Sequence, residues 1–268
     1  MSDVVITDAD PKPSKEPRIF FSVLVCAWNC AEYIDECLDS LLAQTFPSWE
    51  CLVLDDASTD GTLDRIKAKV GDDPRFRIYA NDVRATALPN LMFLIREAKG
   101  DYIALLDGDD YLTQPEALDI VFAVYNDAPN VWVTSGSYVR VPDNVRGHVR
   151  PMREGETWWT TWLFGHLLTW RRQLSLDSFE QEPESYIDIE TGQPYRAAYD
   201  IPLTFAAVAR AEQAGKRVAH INHILYAYRR HPLNEDVADA AAYQGRCAMK
   251  VSIFWGNKIV QWEAMASQ

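Results

Sequence analysis

The chain is poor in positive charge. Its 268 residues carry 26 Lys and Arg against 39 Asp and Glu, a formal net charge of −13. That balance offers no electrostatic footprint for nucleic acid, so a polynucleotide partner is not expected. Long apolar runs are missing too, and nothing approaches the ~20 continuous apolar residues of a membrane span. The five cysteines, Cys26, Cys30, Cys37, Cys51 and Cys247, form no Cys-x-x-Cys pair. They read as buried free thiols in a reducing cytosol. Glycine numbers only 12, and none follows the first apolar run. A dinucleotide Gly-x-Gly-x-x-Gly loop, a Walker A loop and a Gly-x-Ser-x-Gly elbow are all absent.

What is present suffices for a core: hydrophobic residues make up 48% of the chain. Short β-rich apolar runs at 19–26, 49–54, 75–80, 102–106 and 131–139 predict strands. Between them, apolar residues at three- and four-residue spacing predict helices over 31–44, 62–70, 88–98 and about 115–126. The last has Thr113 as an expected N-cap, with Pro115 in the first turn and Glu116 three residues on. Strand and helix alternate with connections long enough for right-handed crossovers, so the fold class is α/β, a doubly wound, mostly parallel sheet with flanking helices. Residues 141–198 are rich in Trp, Arg and Pro and show few clear periods. A helix over 200–215, a strand over 217–228 and one or two helices over 237–268 follow. The N-terminal MSDVVITDADPKPSKEP is acidic where a signal peptide is basic and reads as a flexible lead-in.

Two acidic clusters follow strands. Asp107-Gly108-Asp109-Asp110 ends the run Tyr102 to Leu106, at the sheet edge where open α/β folds bind ligands. Three carboxylates there repel one another unless a cation or a donor-rich ligand compensates. A hard divalent ion prefers oxygen ligands and bridges to substrate phosphates. Asp55 to Gly61 reads equally well as a strand-end turn with a helix cap. Neither cluster is an EF-hand loop, because the twelfth positions are Lys67 and Leu118. A dehalogenase-like phosphatase would carry its Asp-x-Asp after the first strand, not the fourth. If a nucleoside binds, Trp28 can stack on the base and Asp56 can accept from a base imide.

The order SVLVCAWN, LLAQTFPSWECLVLDDASTDGT and AKGDYIALLDGDDYL resembles the N-terminal half of family 2 glycosyltransferases of the GT-A fold. The resemblance implies inverting transfer of a sugar from a nucleotide donor, commonly a UDP-sugar, with Mn²⁺ or Mg²⁺. By position it puts Cys26, Ala27, Trp28 and Asn29 at the base, Asp56 on the uracil, and Arg84 near base or phosphates. Asp107 and Gly108 lie toward the ribose, and Asp109 is the direct metal ligand. The first loop departs from the family's usual Pro-Thr-Tyr-Asn, but Trp28 keeps an aromatic face. HILYAYRRHPLNED resembles the family's Leu-Tyr-x-Tyr-Arg strand, which offers Arg229, Arg230 and His231 to the diphosphate, with His231 a second metal ligand and Arg229 a phosphate contact. A solvated basic strand end reads equally well. The family's base precedes a helix in this half; Asp200 fits, with Asp188 and Glu190 as competitors.

The resulting division is a lead-in over 1–18, a GT-A catalytic domain over 19–236 (nucleotide-sugar half 19–140, acceptor half 141–236) and a C-terminal helical extension over 237–268. That extension either mediates a homodimer or caps the fold. His166, Arg171 and Arg172 are candidates for the acceptor pocket, equally readable as surface or packing residues. Trp158, Trp159, Trp162 and Trp170 form either a sugar-stacking wall or a helix docked on the sheet. Acceptors open to such an enzyme are a glycan, a lipid-linked sugar, a protein or a modified base. The expected location is cytoplasmic, with peripheral membrane attachment left open. Two other activities use the same features: a metal-dependent sugar-nucleotide hydrolase or nucleotidyltransferase, and a non-catalytic nucleotide-sugar binder.

Overall fold

The computed structural model describes residues 20–147, 164–196, 198–231 and 239–266. The N-terminal lead-in and Trp158, Trp159 and Trp162 lie outside them.

The first half alternates as its periodicity predicts: β1 (Phe21–Ala27), α1 (Ile34–Leu42), β2 (Trp49–Asp55), α2 (Thr62–Val70), β3 (Phe76–Ala80), α3 (Ala87–Glu97) and β4 (Tyr102–Asp107). There follow β5 (Tyr111–Leu112), α4 (Ala117–Asp127), β6 (Val131–Val141) and β7 (Val145–Arg146). The second half holds β8 (Leu168–Arg171), α5 (Arg172–Gln181), a 3₁₀ turn (Pro183–Tyr186), β9 (Ile187–Asp188), β10 (Gln193–Pro194), α6 (Asp200–Gln213), β11 (Arg217–Arg229) and α7 (Asp239–Ala266).

The main sheet runs in the order β3-β2-β1-β4-β8-β6-β11-β5, with β7 beside β6. β1, β2, β3 and β4 pair in parallel, as do β6 and β11. β8 enters antiparallel between β4 and β6. Both faces of the sheet are covered, which is why β1, β2 and β4 read as continuous apolar runs. In β1, Phe21, Val23 and Val25 face one core with α1, α2 and α4, while Leu24 faces the other with α3, α5, α6 and α7. β4 divides the same way: Ala104 and Leu106 go to the first core, Ile103 and Leu105 to the second.

Two expectations need correction. Thr113 does not cap α4. That helix begins at Ala117 with Glu116 as N-cap and no side-chain cap. β5 draws Thr113 to the end of β11, where its hydroxyl donates to the Ile224 carbonyl at 2.6 Å. The segment without clear period contains β8 and α5. β8 is only four residues long and buried on both sides, so it shows neither alternation nor length. Its Trp170 is fully buried, with the indole N–H donating to Ser175 at 2.8 Å. Trp170 is therefore a core residue and not part of a sugar-stacking wall.

The C-terminal region forms one helix. α7 lays Val251, Trp255 and Ile259 into the second core against α6. A buried ion pair between Arg210 of α6 and Glu182 lies beside it, with Lys258 of α7 3.7 Å from the same carboxylate. No helix among the described residues is long and apolar enough to cross a membrane.

Candidate functional site

A cleft of about 610 Å³ opens along the C-terminal ends of the strands. Its walls include Cys26, Ala27, Trp28, Asp56 and Arg84 at one end and Asp107 and Asp109 in the middle. Asp200, Arg230 and His231 complete it from the second half. Residues from well-separated parts of the sequence therefore share one space.

The Trp28–Asp56 end is built by two loops locked together. Asn29 sits at φ +47. Its side-chain oxygen accepts from the Thr59 amide at 2.9 Å, and its own amide donates to Ser58 at 2.9 Å. Asp60 accepts from the amides of Ala31 and Thr62, at 2.9 and 3.0 Å. The turn reading of the first acidic cluster therefore holds for Asp60, and for Asp55, which accepts from Ser58 N–H at 3.0 Å. Asp56 is different and lines the cleft. Burial opposes its charge, but hydrogen bonds from the Ala85 and Thr86 amides (both 2.8 Å) and Asn81 (2.7 Å) outweigh it and hold the carboxyl below its ordinary range. Asn90 stands beside it. Its Oδ1 accepts from Asn81 at 2.9 Å, yet its buried Nδ2 has no hydrogen bond of ordinary length. The Arg84 guanidinium covers the Trp28 ring at 3.4 Å from its centroid.

In the middle, Asp109 Oδ2 lies 2.8 Å from His231 Nε2. The His231 ring also packs on Tyr33, with centroids 4.7 Å apart. Asp107 accepts from the Tyr199 hydroxyl, and its backbone N–H donates to the Tyr226 hydroxyl at 3.2 Å. Asp110, the third acid of the cluster, faces away. It is 1% exposed, accepting from Tyr226 and from the Arg229 amide, each at 2.7 Å. Burial, with the charges of Asp109 and Asp107 nearby, pushes its carboxyl well above the ordinary range.

Three residues that the resemblance suggests for ligand contact are not on the cleft wall: Asn29, Gly108 and Arg229. Each supports it instead. Asn29 ties the two loops. A Cβ on Gly108 would meet the Cys26 carbonyl at 3.0 Å and the Ala27 Cβ at 3.1 Å, so the turn needs glycine for close approach. Arg229 donates through Nε to the Asp109 carbonyl at 2.8 Å and pairs with Glu36. The guanidinium that reaches the wall is Arg230's.

Asp200 is the first residue of α6. Its carboxyl is enclosed by protein, although the residue as a whole is part-exposed along the cleft. Burial raises its pKa to about 6, against the lowering effect of the helix-start amides of Asp200 and Ile201. The competitors are engaged elsewhere: Lys250 of α7 holds Asp188 at 2.6 Å and Glu190 at 2.8 Å. Of the acceptor candidates, His166 lines the cleft. Arg171 lies over Trp132 at 4.5 Å, and Arg172 donates to the Gly100 carbonyl at 3.2 Å, at the far end of the sheet. All five cysteines are free thiols; Cys30, Cys37, Cys51 and Cys247 are buried.

The family model "Glycosyl transferase family 2" matches residues 22–198. The chain belongs to glycosyl transferase family 2. Chondroitin synthase of Pasteurella multocida is 40% identical over 99 residues, 37% of this chain and 10% of that protein. The putative glycosyltransferase EpsE of Bacillus subtilis is 36% identical over 99 residues, 37% of this chain and 35% of that protein. The chain thus spans well under two thirds of the length of these curated relatives. Among solved structures, S. aureus TarS 1-349 in complex with UDP-GlcNAc has a TM-score of 0.65 at 23% identity, over 81% of this chain and 60% of that one. The mannosyltransferase PcManGT of Pyrobaculum calidifontis, in complex with GDP-Man and Mn²⁺, has a TM-score of 0.57 at 16% identity, over 96% of this chain and 78% of that one. These likenesses establish the GT-A fold for this family 2 chain.

Sequence reasoning alone missed several wall residues: Asn90, Tyr138, Arg140, Tyr199 and Tyr228. The alternation of β6 and β11 carried a signal for three of them, since Tyr138 and Arg140, and Tyr228 with Arg230, fall two residues apart. Asn90 had none, lying inside an apolar helix.

Proposed function

We propose that the chain is an inverting glycosyltransferase that moves a sugar from a UDP-sugar to an acceptor hydroxyl, with a divalent cation. The observation that carries this reading is the convergence of Asp56, Asp109, His231 and Asp200 on one cleft at the strand ends. Asp56, with its charge held by surrounding amide donors, accepts the N3–H of uracil. Asn90 lines the cleft beside it. Cytosine offers the opposite pattern at N3. That TarS is known with UDP and UDP-GlcNAc supports a uridine donor.

Asp109 and His231 fit a Mn²⁺ or Mg²⁺ ion. A carboxylate oxygen and an imidazole nitrogen 2.8 Å apart can turn to one cation. Among the described residues no group of three His, Cys, Asp or Glu side chains is placed to hold a metal ion, so diphosphate oxygens and water would have to supply the remaining ligands. Such an ion, when bound, would neutralise negative charge on a departing diphosphate. Asp107, fixed by Tyr199, lies toward the ribose.

Asp200 takes the proton of the acceptor hydroxyl as that oxygen attacks the anomeric carbon. The bond to the diphosphate breaks on the opposite side, UDP departs, and configuration inverts. A carboxylate with pKa near 6 is charged at neutral pH and a stronger base than an ordinary aspartate.

Calorimetry with UDP tests the donor half. UDP binds in the presence of Mn²⁺, and Asp109→Ala abolishes the Mn²⁺-dependent part. Equal UDP affinity with and without Mn²⁺ in the unaltered protein defeats the metal-diphosphate reading.

A further inference from the structure

We propose that the cleft wall formed by the ends of β6 and β11 is an acceptor subsite that takes a sugar bearing an anionic group, a carboxylate or a phosphate. The inference rests on the glycosyl-transfer reading above and adds the substrate class.

Topology divides the cleft. Trp28, Asp56 and Arg84 follow β1, β2 and β3, and the Asp107–Asp109 pair ends β4. From β4 the sheet continues the other way through β8 to β6 and β11. At roughly 4.8 Å per strand, β6 and β11 stand about 10 and 14 Å beyond β4 along the sheet. A nucleotide on the β1–β4 side therefore leaves their ends uncovered, while His231 at the end of β11 reaches back to Asp109. The two regions enclose one space with Asp200.

The chemistry of that wall is specific. Tyr138 and Arg140 of β6 pair in register with Tyr226 and Tyr228 of β11. The Arg230 amide continues the ladder, donating to the Val141 carbonyl at 2.8 Å. Alternation puts Tyr138, Arg140, Tyr228 and Arg230 together on the cleft side. His166 completes an aromatic shelf. Its ring lies parallel to Tyr228 (5.9 Å, 3°) and close to parallel to Tyr226 (4.7 Å, 25°), with Tyr138 edge-on at 5.5 Å. Burial lowers the His166 pKa to about 4, so the shelf is uncharged at neutral pH.

Aromatic faces suit the C–H face of a pyranose, and guanidinium forks suit carboxylate or phosphate oxygens. Two of the three arginines on the cleft wall, Arg140 and Arg230, are here; the third, Arg84, is stacked on Trp28. They stand in a chain of net charge −13, in a cleft that also holds Asp56, Asp107, Asp109 and Asp200. Arg140 pairs with Asp143 through both Nε, at 2.9 Å, and Nη2. That pair is exposed, so an incoming anion competes with Asp143 for the same guanidinium in a solvent-screened setting.

The test titrates matched probes onto the protein carrying UDP and Mn²⁺: p-nitrophenyl β-glucuronide against p-nitrophenyl β-glucoside, and glucose 6-phosphate against glucose. At least one anionic probe is expected to bind about tenfold or more tighter than its neutral partner. The pair that shows the gap separates carboxylate from phosphate. Arg140→Met should bring that ratio close to one while UDP affinity changes by less than about twofold, and Arg140→Lys should restore part of the gap. No preference for either anion overturns the proposal. So does an Arg140→Met variant that weakens UDP as much as the anionic probe, which would make Arg140 a donor-phosphate contact. Failure of UDP to bind the unaltered protein is a different result and defeats the donor reading itself.

Discussion

Asp200 combines two demands that pull in opposite directions. Enclosure raises its pKa to about 6, which strengthens it as a base and disfavours its charged form in the fold. A carboxyl whose pKa is raised on folding contributes stability that is full below its unfolded pKa, near 4, and is lost as pH rises through about 6. The proposed role of base runs the other way, because only the ionised form accepts a proton. Turnover should therefore climb as pH rises through about 6, close to tenfold per unit on the acid side, and level off above it. Asp200→Asn should remove that limb, lower turnover by about 10² to 10⁴ and leave UDP affinity unchanged. A pH–rate series together with UDP calorimetry reads both outcomes, and equal loss of binding and transfer contradicts the role of base. The variant should also unfold at a higher temperature than the unaltered protein at pH 8, since it no longer encloses a charge.

At the scale of elements, the first half of the chain was legible because local pattern and burial agree there. β1, β2 and β4 are apolar along most of their length, their helices have clear apolar faces, and α2 falls at 62–70 as the spacing predicts. The polar loops were legible only in part. Asp56 and Asp60 look alike in sequence, yet one faces the cleft and the other fastens Ala31 and Thr62. Asp109 and Asp110 diverge in the same way, since β5 pairs with β11 and turns Asp110 toward Tyr226. β8 and α5 were not legible, because a short strand buried on both sides makes no period of its own. Tyr226 joins these elements: its hydroxyl donates to Asp110 and accepts from the Asp107 amide. Tyr226→Phe leaves two buried polar groups short of a partner and should cost about 1–3 kcal/mol, measured by urea unfolding. A change within a few tenths of a kcal/mol would show that water or another side chain serves them. Gly108→Ala should weaken Mn²⁺-dependent UDP binding, because its Cβ would push on Cys26 and Ala27 and displace the acids on either side.

At the scale of the molecule, α7 belongs to the same packed body as the sheet. Its Trp255 is fully buried, and its Gly245 and Ala248 border the cleft. Trp255→Ala should destabilise the protein by about 3–5 kcal/mol and lower Tm by roughly 10 °C. An unchanged Tm would mean that α7 docks independently of the core. The length of β8 has its own consequence. Its rungs end with Thr169 opposite Ala104 and Leu168 opposite Ser135, three residues before Asp107 on one side and Tyr138 on the other. Beyond those rungs the chain stays along β6, where the Leu167 carbonyl accepts from the Gly136 amide at 2.9 Å, and on the β4 side a tyrosine hydroxyl serves the Asp107 amide. An insertion that prolonged β8 toward the rim would dislodge His166 from its place against Tyr138 and Tyr226 and so reshape that end of the cleft from a residue two positions outside the strand.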